Sequence, residues 1–136
     1  MFGVMPTVFT HIINGDLPGR FIYADDTCVA FLTIEPLSPG HTLVVPRVEV
    51  DHWIDLDDGV VAHLMVVAKR VAAAIQEVFA PEKVGLVIAG LEVPHVHIHV
   101  AGINGVSDLD FSNADHNPDP DDLDVAQERL TNAMAR

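Results

Sequence analysis

The chain is short of cysteine, of basic side chains and of long apolar runs, and each shortage removes a class of protein. Its single cysteine, Cys28, cannot close an internal disulfide, which suits a reducing compartment and makes the cytoplasm the expected location. Only 7 Lys and Arg stand against 20 Asp and Glu, for a net charge of -13. Such a field repels polyphosphate backbones at long range, so neither DNA nor RNA is expected as a partner. A small nucleotide held in a local pocket is still compatible with it. No uninterrupted apolar stretch reaches the length of a membrane span. The stretch Met1–Thr7 lacks the basic start and apolar run of a signal peptide. The expectation is a soluble protein without membrane contact, and no internal repeat interrupts it.

What is present supports a folded domain. At 136 residues and 49% hydrophobic content the chain can build one core, with little room for a second. Val8 to Ile13 reads as a short amphipathic helical turn stopped by Asn14-Gly15. Phe21–Ala24 and Cys28–Leu32 read as strands around an Asp25-Asp26 turn, and Thr42–Pro46 as a third strand after the Pro36, Pro39, Gly40 loop. Asp57 or Asp58 caps a helix running to about Phe79, whose Leu64, Val67, Val71, Ile75 and Val78 form a core stripe. Val84–Ala89 is a fourth strand. This order predicts an α+β fold, a five-stranded antiparallel sheet with one long helix packed on it. From Gly102 to Pro120 acids appear without a single basic residue, which reads as solvated surface or an arm; Asp121 to Ala135 reads as a final helix.

The densest chemical signal is His95-Val96-His97-Ile98-His99-Val100. In an extended strand, alternate side chains share a face, so the three imidazoles line one side about 6–7 Å apart while the apolar residues fill the other. Imidazoles titrate near neutrality and can attack phosphorus or carbonyl carbon, shuttle protons, or bind a metal. A nucleophilic histidine needs one bare ring nitrogen, with its other nitrogen held by an acceptor. Neighbouring histidines can then donate to phosphoryl oxygens and the leaving group. The same row could share a zinc with a further ligand.

The segment Pro39-Gly40-His41-Thr42-Leu43-Val44-Val45-Pro46-Arg47, a long helix, and then the histidine row resemble the histidine triad (HIT) superfamily. Thr7-Val8-Phe9 through Ile12-Ile13-Asn14-Gly15-Asp16-Leu17-Pro18 is similar to that family's amino-terminal segment. The resemblance divides the chain into a HIT-like domain, 1–101, and an acidic extension, 102–136. It implies a homodimer that acts without a cofactor or metal on a small nucleotide substrate. The reaction would be hydrolysis or nucleotidyl transfer at the α-phosphate of phosphoramidates, dinucleoside polyphosphates or related conjugates. By the same likeness His97 forms a covalent nucleotidyl intermediate, oriented by the His95 backbone carbonyl. His99 lies nearest the leaving group, and His41 joins the cluster. Val8, Phe9, Ile12, Leu17, Phe31, Thr33 and Ile34 then bind the nucleotide.

Several positions depart from the family pattern. Ala89 stands where Asn is usual, and Gly90-Leu91-Glu92-Val93-Pro94 is short and lacks a hydroxyl or amide for phosphate. Thr33 replaces a ribose-binding Asp. Thr7 and Thr10 replace the zinc-binding cysteines of some members, and Glu49 replaces their histidine, which argues against a structural zinc. Two rival readings are open: a metal-binding protein using the histidine row, and a nucleotide-binding module without turnover. The other histidines, His11, His52, His63 and His116, read as surface or border residues, and Trp53 as loop packing or a dimer contact.

Overall fold

Alternating apolar residues punctuated by Gly, Pro and Asp build the sheet. β1 (Phe21–Ala24) and β2 (Cys28–Leu32) pair as a hairpin, and β3 (Thr42–Pro46) pairs with β2 from Cys28↔Pro46 to Leu32↔Thr42. In the computed structural model, which describes residues 5–136, β4 (Lys83–Val87) and β5 (Ile98–Ile103) complete the order β1-β2-β3-β5-β4. Every neighbouring pair is antiparallel. With its helices the fold is α+β. Residues Met1–Val4, part of the stretch read for a signal peptide, lie outside the described residues.

The central strands β2 and β3 are buried on both faces, and the strand period sorts residues between them. Cys28, Ala30, Leu32, Val44, Ile98 and Val100 meet α2 (Asp58–Phe79). Val29, Phe31, Leu43 and Val45 meet Phe9 of α1 (Val8–Ile13) on the other side. Along α2, Leu64, Val67, Val71 and Ile75 are each at most 2% exposed, and each such burial stabilises by about 1.5–3 kcal/mol. The helix closes at Ala80, left-handed at φ 49°, whose N–H reaches Gln76 O at 3.1 Å. Asp57 occupies the N-cap position, but its side chain makes no capping hydrogen bond.

Two expectations change. The strand carrying the histidine row begins at Ile98, so His95, Val96 and His97 are an extended lead-in outside the ladder. Their backbone groups are engaged elsewhere: His95 N–H with Val93 O at 2.8 Å, Val96 N–H with Val50 O at 2.8 Å, and His95 O with His97 Nδ1 at 2.7 Å. Val96 nonetheless joins Ile98 and Val100 in the α2 core, while His97 and His99 face the other way, toward Phe9 and Phe111.

The acidic segment is no free arm. Its carboxylates cap tight turns: Asp108 accepts from the Asn104 and Gly105 N–H, Asp110 from Ser112 N–H, Asp115 from Asn117 N–H. Asp119 caps α3 (Pro120–Met134) by accepting from Asp121 N–H. Ala126, Leu130 and Met134 of α3 enter the same core as α2. β5 itself runs to Ile103, across the boundary expected at 101. The final helix expected at 121–135 is present as α3, and together with α2 it covers this face of the sheet.

Candidate active site

Gly40 sets up the first histidine. Its φ is +85°, and a Cβ there would lie 2.6 Å from the Phe79 ring, so glycine alone lets the loop turn this tightly into β3. His41 follows, 2% exposed. The N–H of Leu37 donates to His41 Nδ1 at 3.0 Å, which leaves Nε2 to carry the ring hydrogen. His41 Nε2–H therefore donates to His99 Nδ1, 3.0 Å away. That in turn places the hydrogen of neutral His99 on Nε2, ready for donation to a ligand.

The other pair has the opposite polarity. His97 Nδ1 lies 2.7 Å from the His95 carbonyl, which can only accept, so Nδ1 carries the hydrogen and Nε2 is bare. His95 is fully buried; its Nε2–H donates to Pro46 O at 2.8 Å, and its Nδ1 accepts from the Thr7 hydroxyl at 2.8 Å. The rings of His97 and His99 stand 4.9 Å apart. One imidazole thus offers a lone pair beside another that offers a proton.

Burial favours the neutral forms of His41, His97 and His99. It lowers His41 to about 4 and His99 to about 3, the latter helped by His41 and His97 nearby. Burial also lowers His97, against the opposing pull of the His95 carbonyl. The shift favours the neutral form of His97, whose Nε2 carries a lone pair.

Two cavities adjoin at Phe9, Thr33, Ile34 and Leu43, and the histidines line one of them. A mostly apolar one of about 610 Å³ is bordered by Val8, Phe9, Ile12, Leu17, Phe31, Thr33 and Ile34, all seven expected nucleotide-binding residues, with Leu43, Arg20 and Asp124. The second, about 400 Å³, is bordered by His97, His99, Glu92 and Phe111 and shares Phe9, Thr33, Ile34 and Leu43 with the first. The result is a continuous cleft, apolar at one end and imidazole-lined at the other. Phe9 sets its edge against His97 at 4.9 Å, and Phe111 against His99 at 4.7 Å.

Phe111 and Asp124 were not legible as site residues, because they reach the cleft from the acidic segment and α3. A lone aromatic in an acid-rich stretch was the available signal for the first. His95 borders neither cavity and acts through its carbonyl. Arg20 donates from Nε to Asp124 Oδ1 at 2.8 Å.

The metal reading of the row meets a shortage of nitrogens. His95 has both engaged, and His97 and His99 each have Nδ1 engaged, so only two nitrogens face a ligand. Elsewhere among the described residues, ligating atoms of Asp25, Cys28 and His63 lie within 4.8 Å of one another. Asp25 already accepts from Tyr23 OH at 2.7 Å, His63 Nε2 at 2.6 Å, and the Thr27 and Cys28 N–H at 2.8 Å. Burial works to raise this carboxyl, yet these bonds hold it well below the usual carboxylate range. Burial pushes the Cys28 thiol up to about 12, so it stays protonated. This cluster pins the hairpin to α2. His11 pairs with Asp16 and His116 with Glu35 on the surface.

The HIT domain matches residues 14–105. An uncharacterised HIT-like protein of Borreliella burgdorferi is 36% identical over 100 residues, 68% of this chain and 72% of its own. A zinc-bound histidine triad family protein from Mycobacterium smegmatis superposes with a TM-score of 0.82 at 30% identity, covering 98% of this chain and 96% of that one. A HIT family hydrolase from Legionella pneumophila gives 0.64 at 28% identity, covering 71% and 92%. With both the histidine cluster and the sheet beneath it matched, this chain belongs to the HIT domain family.

Proposed function

We propose that this protein is a nucleotide hydrolase or nucleotidyl transferase that uses His97 as its nucleophile. The observation that carries the reading is the 2.7 Å hydrogen bond from His97 Nδ1–H to the His95 carbonyl, which leaves Nε2 bare on a residue bordering the cleft. The apolar end suits a base, and the imidazole end suits its α-phosphate. His97 Nε2 bonds to the α-phosphorus as the bond to the leaving oxygen or nitrogen breaks; His99 Nε2–H donates a hydrogen bond to that atom, which takes its proton from solvent. The developing cation on His97 is stabilised through Nδ1–H and the His95 carbonyl. Water then attacks phosphorus and releases its proton to solvent, the P–N bond breaks, and a nucleoside monophosphate departs with His97 neutral again.

Segment 89–93 borders the cleft without a side-chain hydroxyl, amide or cation. Backbone N–H groups and His99 are therefore the phosphate donors, with the substrate expected to bind more weakly than at a side-chain-lined loop. Zinc, present in the mycobacterial structure, does not fit Thr7, Thr10, Glu49 and His95. Threonine hydroxyls stay protonated at neutral pH, and both His95 nitrogens are engaged. No step passes through a metal. The reading also includes a homodimer, supported by exposed Trp53, Ile88 and Leu91 bordering one cavity next to edge strand β4 and tested by light scattering of the purified chain. A cytoplasmic setting fits the lone free cysteine.

Mass spectrometry after incubation with nucleoside phosphoramidates and dinucleoside polyphosphates tests the chemistry. A nucleotidyl adduct on the peptide containing His97, absent in His97→Ala, is expected. Turnover without any adduct, and undiminished in His97→Ala, would overturn it.

A further inference from the structure

His95 is the residue that aims His97, and its own imidazole is anchored from the opposite end of the chain. The Thr7 Oγ1 caps α1 by accepting from Thr10 N–H at 3.2 Å. The same oxygen sits 2.8 Å from His95 Nδ1, which is bare because Nε2–H is given to Pro46 O. The hydroxyl must therefore donate to the ring. One carboxylate oxygen of Glu49 then accepts both Thr7 N–H at 2.8 Å and Thr10 Oγ1–H at 2.7 Å. The backbone bond from Thr7, followed by that from the Thr10 hydroxyl, draws the Glu49 carboxyl below its usual range. These contacts span 42, 39 and 88 residues of sequence, so they tie the start of α1 to the segment after β3 and to the triad.

We infer that Glu49, Thr10 and Thr7 form a latch that positions the nucleophile. The latch acts on His97 by two routes. Thr7 holds His95 in its Nε2–H form, with the ring fixed to Pro46 and the carbonyl fixed toward His97 Nδ1. Glu49 and Thr10 hold the first turn of α1, which carries Phe9 with its ring 5.8 Å from His95 and 4.9 Å from His97. Loosening the Thr7–His95 route lets the reactive nitrogen wander while the pocket for the base stays walled, so kcat suffers more than KM. Loosening the Glu49 route also shifts Val8, Phe9 and Ile12 of that pocket, so kcat and KM move together. Reaction geometry is unforgiving of small displacements. These three residues are positioning residues and touch no substrate. The inference rests on the reading of His97 as nucleophile for its kinetic half only.

The experiment combines ¹⁵N imidazole NMR of the intact protein with steady-state kinetics on a nucleoside phosphoramidate, for Thr7→Val, Thr7→Ser and Glu49→Ala. In the parent, His95 shows a protonated Nε2 and a hydrogen-bonded bare Nδ1. In Thr7→Val the Nδ1 resonance moves to that of an unpaired nitrogen or the ring changes tautomer, and kcat falls about 10- to 100-fold. KM moves less than about threefold. Thr7→Ser restores both the resonance and the rate, which a purely structural role for the threonine methyl would not allow. Glu49→Ala lowers kcat in the same sense, and being a change at an exposed side chain it reads the latch even if Thr7→Val fails to fold. Parent kcat and an unmoved His95 Nδ1 resonance in these variants would overturn the inference. A parent that forms no adduct would instead overturn the proposed reaction, with the NMR comparison still deciding the latch.

Discussion

Two clusters in this molecule hold histidine by hydrogen bonds of nearly equal shortness, and only one of them faces a cavity with a nitrogen to spare. Around Asp25, one carboxylate collects Tyr23, His63 and two backbone N–H groups. Around His97, neutral carbonyls and imidazoles engage one nitrogen per reactive ring and leave the other bare or donating. Each partner engages one nitrogen of its histidine, Asp25 that of His63 and the His95 carbonyl that of His97. The difference is that the remaining nitrogen of His97 belongs to a residue bordering the cleft. Density of titratable groups is thus a poor guide to chemistry here; the informative quantity is what remains after the internal bonds are drawn.

Mutation separates the clusters most sharply. His97→Ala is expected to lower turnover by at least about 10³-fold with far-ultraviolet dichroism unchanged. Its side chain lines the cleft, and the α2 core does not depend on it. Asp25→Ala is expected to do the reverse. It strands the hairpin's N–H and O–H donors and should cost about 3 kcal/mol of stability in urea titrations, with turnover per folded molecule unchanged. Loss of turnover in folded Asp25→Ala would erase the distinction.

Acid sharpens the contrast, because the clusters fail in different windows. The unfolded chain protonates a histidine near 6.5 while folded His41 waits until about 4, so the unfolded state binds more protons between those values. Stability therefore falls as pH drops through that range, by about 2 kcal/mol from His41 between pH 7 and 4.5. His99, lowered to about 3, adds to the same slope. Asp25 is also lowered, so its contribution is intact above its unfolded value of 3.8 and is lost only below it. Denaturation at pH 7, 5.5 and 4.5 should show the first window, flattened in His41→Asn.

The smallest expected effect concerns Glu92, whose residue borders the His97 cavity and whose charge favours protonated His97. Glu92→Gln should tighten AMP binding about threefold at low ionic strength and lose the gain at high salt. Calorimetric titration reads it directly.

Much of the fold was legible because its signals are local. β1, β2 and β3 begin and end where alternation meets Asp25-Asp26, Pro36, Gly40 and Pro46, and α2 ends at Phe79, just ahead of Pro81. The start of β5 was not legible. Alternation assigns faces correctly, but bonding of the His95 carbonyl to a side chain removes that stretch from the ladder. The burial of α3 was written in Ala126, Leu130 and Met134, spaced by four, and was masked by the acids around them. At the site, the histidines and apolar wall could be listed from sequence alone. Their ring tautomers could not, since these depend on Leu37 N–H, Pro46 O and the Thr7 hydroxyl, each many residues from the row they govern.

Phe111 lies beyond residue 105, where the match to the HIT domain ends, yet its ring edge rests against His99. The His99 imidazole thus stands at a seam between the stretch that matches the HIT domain and the stretch that follows it. Residues that set its tautomer all belong to the matched stretch. What lies against its exposed side comes from outside. Under the proposed reaction, exchanging the aromatic for something smaller, larger or polar would change which leaving groups fit there. No bond that makes His99 a donor need change with it. On that proposal, selectivity and reactivity around one histidine are set by residues from different stretches of the chain.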